Sequence, residues 1–237
     1  LAGEEEACIE GFRNLAGLAQ KGGYGQLMRL PADHAIRLPD SLSFADAAPF
    51  FCAGLTTYAA LKNGGVKPGN RVAILGIGGL GHLGIAIAKA MGADVYAVTG
   101  SPDKQDLAMQ LGATMAGDAA TIVAELQRLG GAHVALHTAN GLGPVGQILP
   151  AMAKQGAIVL TSGDGDQLPI PPGMFTGLQL RVIGSFYGSR QDLREVLELA
   201  DAHNIRPIIE TYALADVNSA HTRLRAGDIR YRGVLLP

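Results

Sequence analysis

The strongest structural signal in the chain lies at residues 71–81, which read RVAILGIGGLG. An apolar run that leads into G-x-G-x-x-G and then into a helical pattern predicts a strand, a tight turn and a helix. Gly76 would permit the turn, Gly78 would let backbone approach a pyrophosphate, and Gly81 would let helix and strand pack closely. The stretch therefore predicts a dinucleotide site, although glycine-rich turns also occur in methyltransferases and at plain strand-to-helix corners.

The flanks of this turn support the same interpretation. Residues 67–70 (KPGN) predict a turn before the strand, and residues 80–91 are long enough for a helix. An anion at the start of that helix would meet free N–H groups and the positive end of the helix dipole. Gly79 and Leu80 lie in the same turn, so we expect them to contact the cofactor together with the three glycines.

Strand and helix patterns alternate with short turns from residue 67 onward. The predicted strands are 71–75, 94–99, 114–116, 133–138, 157–161 and 180–185. The predicted helices between and after them are 80–91, 102–111, 120–129, 144–154 and 192–203, with residues 167–173 as a proline-rich loop. Strands separated by helices imply right-handed parallel crossovers. The fold class predicted is α/β, with a Rossmann doubly wound parallel six-stranded sheet.

The two ends of the chain carry weaker patterns. Residues 1–43 are rich in glycine and proline and predict loops and short strands, with 24–30 and 35–38 as candidate strands. Ser43 is a plausible N-cap for a helix that Pro49 could divide into two. The tail predicts strands at 207–212 and 231–236 around a helix at 217–226.

Composition restricts the classes of function. The chain has 237 residues, of which 48% are hydrophobic and 17% charged, and its net charge is −2. This balance gives no electrostatic reason to expect a nucleic-acid partner or an anionic membrane. Two cysteines, Cys8 and Cys52, cannot form a disulfide framework, so we expect a reducing, cytoplasmic setting. No apolar run reaches the roughly 20 residues of a membrane span. Because the chain starts at Leu1, we expect a fragment or a processed product.

Several separated stretches match one family in the right order. They are GGY at 22–24, LPD at 38–40, CAGLTTY at 52–58, GIGGLGH at 76–82, GS at 184–185 and RYR at 230–232. The chain resembles the zinc-type medium-chain alcohol dehydrogenases, and among them the cinnamyl alcohol dehydrogenase-like enzymes and bacterial NADP-dependent aldehyde reductases. The resemblance covers essentially the whole chain but begins well inside a family member, so the N-terminal part of the catalytic domain would be lacking.

The resemblance implies both an architecture and an activity. Residues 1–63 would be the C-terminal part of an incomplete GroES-like, β-rich catalytic domain, 64–203 the Rossmann domain and 204–237 a return segment to the catalytic domain. The implied activity interconverts a small-molecule alcohol and an aldehyde or ketone by hydride transfer with NADP(H), zinc-assisted in the intact family, in a homo-oligomer. The alternatives are a non-zinc quinone oxidoreductase-like reductase and a non-catalytic nucleotide-binding module.

The zinc expectations concern the two cysteines. Cys52 resembles the one catalytic zinc ligand in the C-A-G motif, whereas the other two ligands would belong to the lacking segment, so the chain alone would be inactive as a dehydrogenase. Thr56 would lie near the nicotinamide. Judged on its own surroundings, Cys52 could instead be a buried structural thiol. Cys8 matches one of the four cysteines of the family's structural zinc loop, which is therefore broken here. We expect the face around Phe50, Phe51 and Leu55 to be exposed.

The end of the second strand predicts which nicotinamide cofactor binds. An acid there would accept bonds from the ribose of NAD, but residues 98–104 read VTGSPDK, with no acid at the strand end. Thr99, Ser101 and Lys104 resemble the hydroxyl-and-lysine cluster of NADP-dependent members, so NADP is favoured over NAD. Ser101 could also merely cap the next helix.

Further cofactor contacts follow from the geometry of parallel sheets, because ligands bind at the carboxyl ends of the strands. Thr138, Ser162 and Ser185 lie at such ends and match family positions that line the ribose or nicotinamide. Arg232 and Arg190 are candidates for the pyrophosphate. His82 follows the glycine turn and could help to hold phosphate.

Overall fold

The structure, a computed structural model, describes residues 22–162 and 167–237. A parallel six-stranded sheet has the strand order β3-β2-β1-β4-β5-β6. Its strands are β1 (Arg71–Leu75), β2 (Asp94–Val98), β3 (Met115–Gly117), β4 (Ala132–His137), β5 (Met152–Leu160) and β6 (Arg181–Gly184). This is the order of a dinucleotide-binding Rossmann sheet, so the predicted fold class is confirmed.

Helices cover both faces of this sheet. In the described ranges the α-helices are α1 (Phe44–Ala47), α2 (Ala53–Gly64), α3 (Gly81–Ala90), α4 (Pro102–Gln110), α5 (Ala119–Arg128), α6 (Gly143–Ile148), α7 (Pro172–Leu178), α8 (Arg190–Ala202) and α9 (Val217–Ala226). Short 3-10 turns cover Ala32–His34, Ala48–Phe51, Leu149–Ala151 and Leu214–Asp216. None of the helices in the described part of the chain is long and apolar enough to cross a membrane.

Alternate side chains of β1 point to opposite faces of the sheet and so join two separate hydrophobic clusters. Val72 and Ile74 join the core cluster formed with α2, α3 and α8, whereas Ala73 and Leu75 join the cluster formed with α5 and α6. All four side chains are fully buried, as expected for a central strand of a parallel sheet covered on both faces. The continuous apolar run therefore serves two cores at once, and its carboxyl end leads directly into the glycine turn.

A second, two-stranded sheet brings the C-terminal residues to this end. Strands β7 (Ile209–Ala213) and β8 (Arg232–Leu236) pair in parallel. Just before β7, the Ile208 carbonyl accepts hydrogen bonds from the backbone N–H groups of Tyr231 and Arg232, at 3.3 and 3.2 Å. The start of β8 is thereby fixed beside the segment that enters β7.

The predictions that differ from the structure involve proline or weak patterns. The candidate strands at 24–30 and 35–38 are wrong, because residues 22–43 contain no strand and Tyr24, Leu27 and Met28 are exposed. The predicted helix at 144–154 ends at Ile148, and the chain passes through the Leu149–Ala151 turn into β5 at Met152, earlier than predicted. Pro150 lacks an N–H donor and cannot continue the helix.

In two further segments a proline lies at or near a helix boundary. Helix α7 begins at Pro172, within the loop predicted at 167–173, and continues past the end of that loop to Leu178. Proline is well suited to the first helical position, so it starts this helix. Pro49 divides the helix predicted from Ser43, as anticipated: α1 ends at Ala47 and a 3-10 turn separates it from α2. Ser43 does cap α1, since its Oγ accepts from the Asp46 N–H at 3.1 Å.

Candidate cofactor-binding site

The glycines of the turn between β1 and α3 have different surroundings. Gly76 has a φ of +92°, and a Cβ there would lie 2.7 Å from the Ala139 side chain. A Cβ on Gly81 would overlap the carbonyl oxygen of Gly76. A Cβ on Gly78 would meet nothing within 4 Å. Gly76 and Gly81 are therefore required by the protein's own packing, whereas Gly78 leaves an open space at the N-terminal end of α3.

Thr138, at the carboxyl end of β4, braces this turn. Its Oγ1 donates to the Gly76 carbonyl at 2.7 Å, with the Leu75 carbonyl at 3.2 Å, and its backbone N–H donates to the Leu75 carbonyl at 3.0 Å. The hydroxyl predicted to face the cofactor is thus bonded to the backbone of the glycine turn. It holds the turn in the shape that leaves the space at Gly78 open.

His82 braces the turn from the other side. Its ring is 1% exposed, with Nδ1 2.9 Å from the Gly78 carbonyl and Nε2 3.3 Å from the Ile208 N–H. An Nδ1–H that donates to Gly78 leaves Nε2 free to accept from Ile208, which requires a neutral ring. Burial, with a smaller contribution from the charge of Arg232, lowers the pKa of His82 from its ordinary 6.5 to about 4. The prediction that His82 helps to hold phosphate is wrong, because both ring nitrogens are already bonded within the protein.

Arg232 supplies the positive charge at the turn. A Cβ on Gly79 would lie 2.6 Å from Arg232 Nη1, so the guanidinium already lies against the backbone of the turn. The ring of the preceding residue, Tyr231, lies on the His82 ring with centroids 5.1 Å apart. The open space at Gly78 thus has an arginine and a helix N-terminus beside it. Arg190, the first residue of α8, remains a candidate.

The corner between β2 and α4 is the second part of the site. The Thr99 N–H donates to the Gly117 carbonyl at 2.8 Å, and the Thr99 carbonyl accepts from Gln105 Nε2 at 2.9 Å. Ser101 takes the N-cap position of α4, but its side chain makes no capping hydrogen bond, so the capping alternative is not what the structure shows. Lys104 is half-buried in the first turn of α4.

Ser162 and Ser185 lie at the carboxyl ends of β5 and β6, at the same edge of the sheet. Ser162 is exposed, with Oγ 3.5 Å from the Ala139 carbonyl. Ser185 is buried, and its Oγ accepts from Asn63 Nδ2 at 3.2 Å. These positions extend the row that starts at Thr138, as the parallel sheet requires.

Cys52 and Thr56 lie at the start of α2. Cys52 is exposed, so the alternative of a buried structural thiol is wrong, and its carbonyl accepts from the Thr56 N–H at 2.8 Å. The Tyr187 hydroxyl donates to the Phe51 carbonyl at 3.1 Å. Burial, and to a lesser degree the electrostatic influence of the nearby Cys52 side chain, raises the pKa of Tyr187.

Two other expectations about this region have different outcomes. Phe50 and Leu55 are buried, at 0% and 2% exposed, because both join the core cluster beneath α2, so only Phe51 of the predicted exposed face is exposed. Residues 22–162 and 167–237 contain no group of three or more histidine, cysteine, aspartate or glutamate side chains placed to hold a metal ion. Cys8 and the broken zinc loop lie outside the described residues.

Comparison with known proteins agrees with this geometry. A family profile described as zinc-binding dehydrogenase matches residues 79–202. An alcohol dehydrogenase of Geobacillus stearothermophilus is 40% identical over 240 residues, an alignment that covers 99% of this chain and 70% of that enzyme. The chain belongs to the zinc-binding alcohol dehydrogenase family. The resemblance noted from the sequence motifs is thereby confirmed.

Two further similar proteins are an enzyme named as NADP-dependent and a reductase solved in complex with NAD. NADP-dependent alcohol dehydrogenase C 1 of Mycolicibacterium smegmatis is 33% identical and aligns with 92% of this chain, which spans 63% of that enzyme. The solved structure of acetophenone reductase from Geotrichum candidum, in complex with NAD, has a TM-score of 0.85 at 28% identity. That alignment covers 99% of this chain and 68% of the reductase.

One pair of residues at this site was given no role on sequence grounds. Arg230 Nη1 lies 3.2 Å from Asp103 Oδ2, which joins the segment before β8 to the first turn of α4. The RYR motif at 230–232 contributed to the family resemblance, but within it only Arg232 was predicted to contact the cofactor, at the pyrophosphate. Nothing local in the sequence links residue 230 to residue 103, so the pair could only be found in the fold.

Proposed function

We propose that this chain binds NADP(H) at the glycine turn and supplies the nucleotide site for hydride transfer between a small-molecule alcohol and the corresponding aldehyde or ketone. Because the described residues form no zinc site, the chain by itself should turn over little or no alcohol. The single observation that carries the proposal is the open space at Gly78, with the α3 N-terminus and the Arg232 guanidinium beside it. Free N–H groups, a helix dipole and an arginine fork all favour a pyrophosphate. The described residues thus fit the nucleotide that the fold implies.

The remaining roles are assigned along the same edge of the sheet. The Gly76–Gly81 turn, including Gly79 and Leu80, and Arg232 would hold the pyrophosphate. The hydroxyls of Thr99 and Ser101 and the ammonium of Lys104 would hold the 2′-phosphate of NADP, and the M. smegmatis relative named as NADP-dependent supports this choice. Thr138, Ser162, Ser185 and Thr56 would position the ribose and nicotinamide. When bound, the nucleotide supplies the hydride acceptor or donor.

Zinc fits the described residues less well than the nucleotide does. A catalytic zinc site takes three protein ligands, and within residues 22–162 and 167–237 Cys52 is the one candidate. These residues therefore do not form a zinc site by themselves, and we assign to them only the binding and orientation of the nucleotide. The division into a GroES-like part (1–63), a Rossmann domain (64–203) and a return segment (204–237) belongs to the same proposal.

Nucleotide titration tests the proposal. The emission of NADPH and NADH would be followed as protein is added, and we expect NADPH to bind more tightly than NADH. Lys104→Ala should weaken NADPH alone, whereas Lys154→Ala, on the exposed part of β5, serves as the matched control. Equal affinities for both nucleotides, or an unchanged NADPH affinity in Lys104→Ala, would contradict the proposal that this corner holds the 2′-phosphate.

Turnover separates the alternatives. Nucleotide oxidation with an aldehyde indicates the alcohol dehydrogenase reaction, and oxidation with a quinone but no aldehyde indicates the non-zinc reductase. Tight nucleotide binding without either reaction identifies the chain, taken alone, as a nucleotide-binding module.

A further inference from the structure

The stretch that brings Arg232 to the glycine turn also brings Arg230 to the β2–α4 corner. Arg230 Nη1 lies 3.2 Å from Asp103 Oδ2. Asp103 is the second residue of α4 and stands between Ser101 and Lys104 in the sequence. The guanidinium therefore lies at the corner that we propose for the 2′-phosphate, and that proposal gave it no role.

The backbone on both sides of Arg230 is fixed. Its N–H donates to Glu210 Oε1 at 2.7 Å, while Glu210 Oε2 accepts from Arg223 Nη1 at 2.8 Å. Two residues later, the Arg232 N–H donates to the Ile208 carbonyl. Residues 230–232 thus form a short, anchored stretch that extends from the corner at Asp103 to the turn at Gly79, the two places that we propose for the 2′-phosphate and the pyrophosphate of NADP.

We propose that Arg230 is a specificity-determining residue for NADP(H), whose guanidinium pairs with the 2′-phosphate and, without nucleotide, rests on Asp103. This inference rests on the proposed function and adds one residue to its nucleotide site. A guanidinium presents a planar fork of donors that matches phosphate better than an ammonium does. The side chains of Arg230 and Asp103 are 59% and 63% exposed, so their ion pair is solvated and readily exchanged for a stronger anion.

Asp103 has the opposite effect in this arrangement. Its carboxylate competes with the phosphate for Arg230, and as a like charge close to the phosphate it also repels it. Asp103 therefore restrains NADP(H) affinity, while NAD(H), which lacks the 2′-phosphate, is indifferent to both residues. We therefore expect removal of the Arg230 charge to weaken NADP(H) binding and removal of the Asp103 charge to strengthen it.

The experiment compares NADPH and NADH binding by calorimetry in the full chain and its variants. Arg230→Ala should weaken NADPH about tenfold or more and leave NADH within about twofold. Arg230→Lys should retain part of the affinity, because it keeps the charge but loses the fork. Arg128→Ala, which breaks the exposed pair with Glu125 on α5, is the matched control and should change neither affinity.

Asp103→Asn completes the test. It should strengthen NADPH binding about threefold in the wild-type background and much less in Arg230→Ala. Equal losses of NADPH and NADH in Arg230→Ala would indicate a structural role and overturn the inference, as would an NADPH preference in Arg230→Ala that is as strong as in the wild type. Wild-type protein that binds both nucleotides equally would overturn the proposed function as well, so the two failures are distinguishable.

Discussion

The glycine turn and the start of α2 both carry predicted site residues, but the surroundings of these residues differ in the described structure. At the turn, the backbone of Gly76 and Gly78 is braced by Thr138 and His82, and Arg232 lies against Gly79. At the start of α2, Cys52 is exposed and no cluster of metal-ligating side chains surrounds it within the described ranges. The comparison separates a turn that fits the proposed nucleotide from a cysteine that has no further metal ligands around it among the described residues.

The largest expected effect comes from filling the open space at Gly78. Gly78→Val should abolish NADPH binding, a loss of about a thousandfold or ~4 kcal/mol, because the side chain would occupy the place of the pyrophosphate. The fold should persist, since the site has room for a Cβ and no positive φ. Titration with NADPH measures the loss.

Gly177→Val is the control for that substitution. Gly177 lies on α7, where a Cβ would likewise meet nothing within 4 Å, so the variant should bind normally. Normal NADPH affinity in Gly78→Val would show that the pyrophosphate lies elsewhere.

The second effect concerns His82. Its pKa is lowered to about 4 in the folded protein, so between pH 6.5 and 4 the unfolded chain binds more protons and stability falls as pH falls. Integrated from pH 7 to pH 4, this single group should cost about 3 kcal/mol of unfolding free energy. The stability that depends on the neutral ring is present above pH 6.5.

Urea unfolding at both pH values measures this effect. Wild type should lose about 3 kcal/mol more than His82→Gln, whose side chain does not titrate. Identical losses in the two proteins would contradict the buried neutral imidazole.

The third effect is a change of nucleotide preference. Thr99→Asp should weaken NADPH about thirtyfold, or ~2 kcal/mol, because a carboxylate at the end of β2 repels the 2′-phosphate, and it should strengthen NADH. Thr99→Asn is the uncharged control. Parallel changes in both affinities would show that Thr99 does not face the 2′ position.

The smallest effect tests the other region. Cys52→Ser should leave NADPH affinity within about twofold, ~0.4 kcal/mol, because the α2 start has no part in binding the phosphates. Elemental analysis should find zinc at background in wild type and variant alike, with alcohol-dependent reduction of NADP also near background. About one zinc per wild-type chain, lost in Cys52→Ser, would mean that other residues complete a metal site.

How much of the fold could be predicted depended on whether the signal was local. Strand β1 and helix α9 have the predicted bounds, since an apolar run before a glycine turn and a helix ended by Gly227 in the left-handed region are local features. Strand β5 starts earlier than predicted, because Met152 pairs with Ala132 across the sheet and no short-range pattern encodes that partner.

The candidate site divides in the same way. The glycines and the hydroxyls at strand ends could be found from spacing and sheet geometry, since each follows a predicted strand directly. The acceptor role of His82 could not, because its partner Ile208 is 126 positions away. The pairing of Arg230 with Asp103 spans 127 positions and was missed for the same reason.

Hydrogen exchange with and without NADPH tests the central claim most directly. We predict that amide exchange slows most in peptides that cover residues 76–82, 99–104 and 228–234, slows less in 52–58, where Thr56 is the proposed contact, and does not change in residues 119–128 of α5. Free N–H groups in the turn would acquire phosphate partners, whereas the start of α2 would meet the nucleotide only through the Thr56 side chain. Exchange that is unchanged at 76–82, or slowed chiefly at 52–58, would contradict the account.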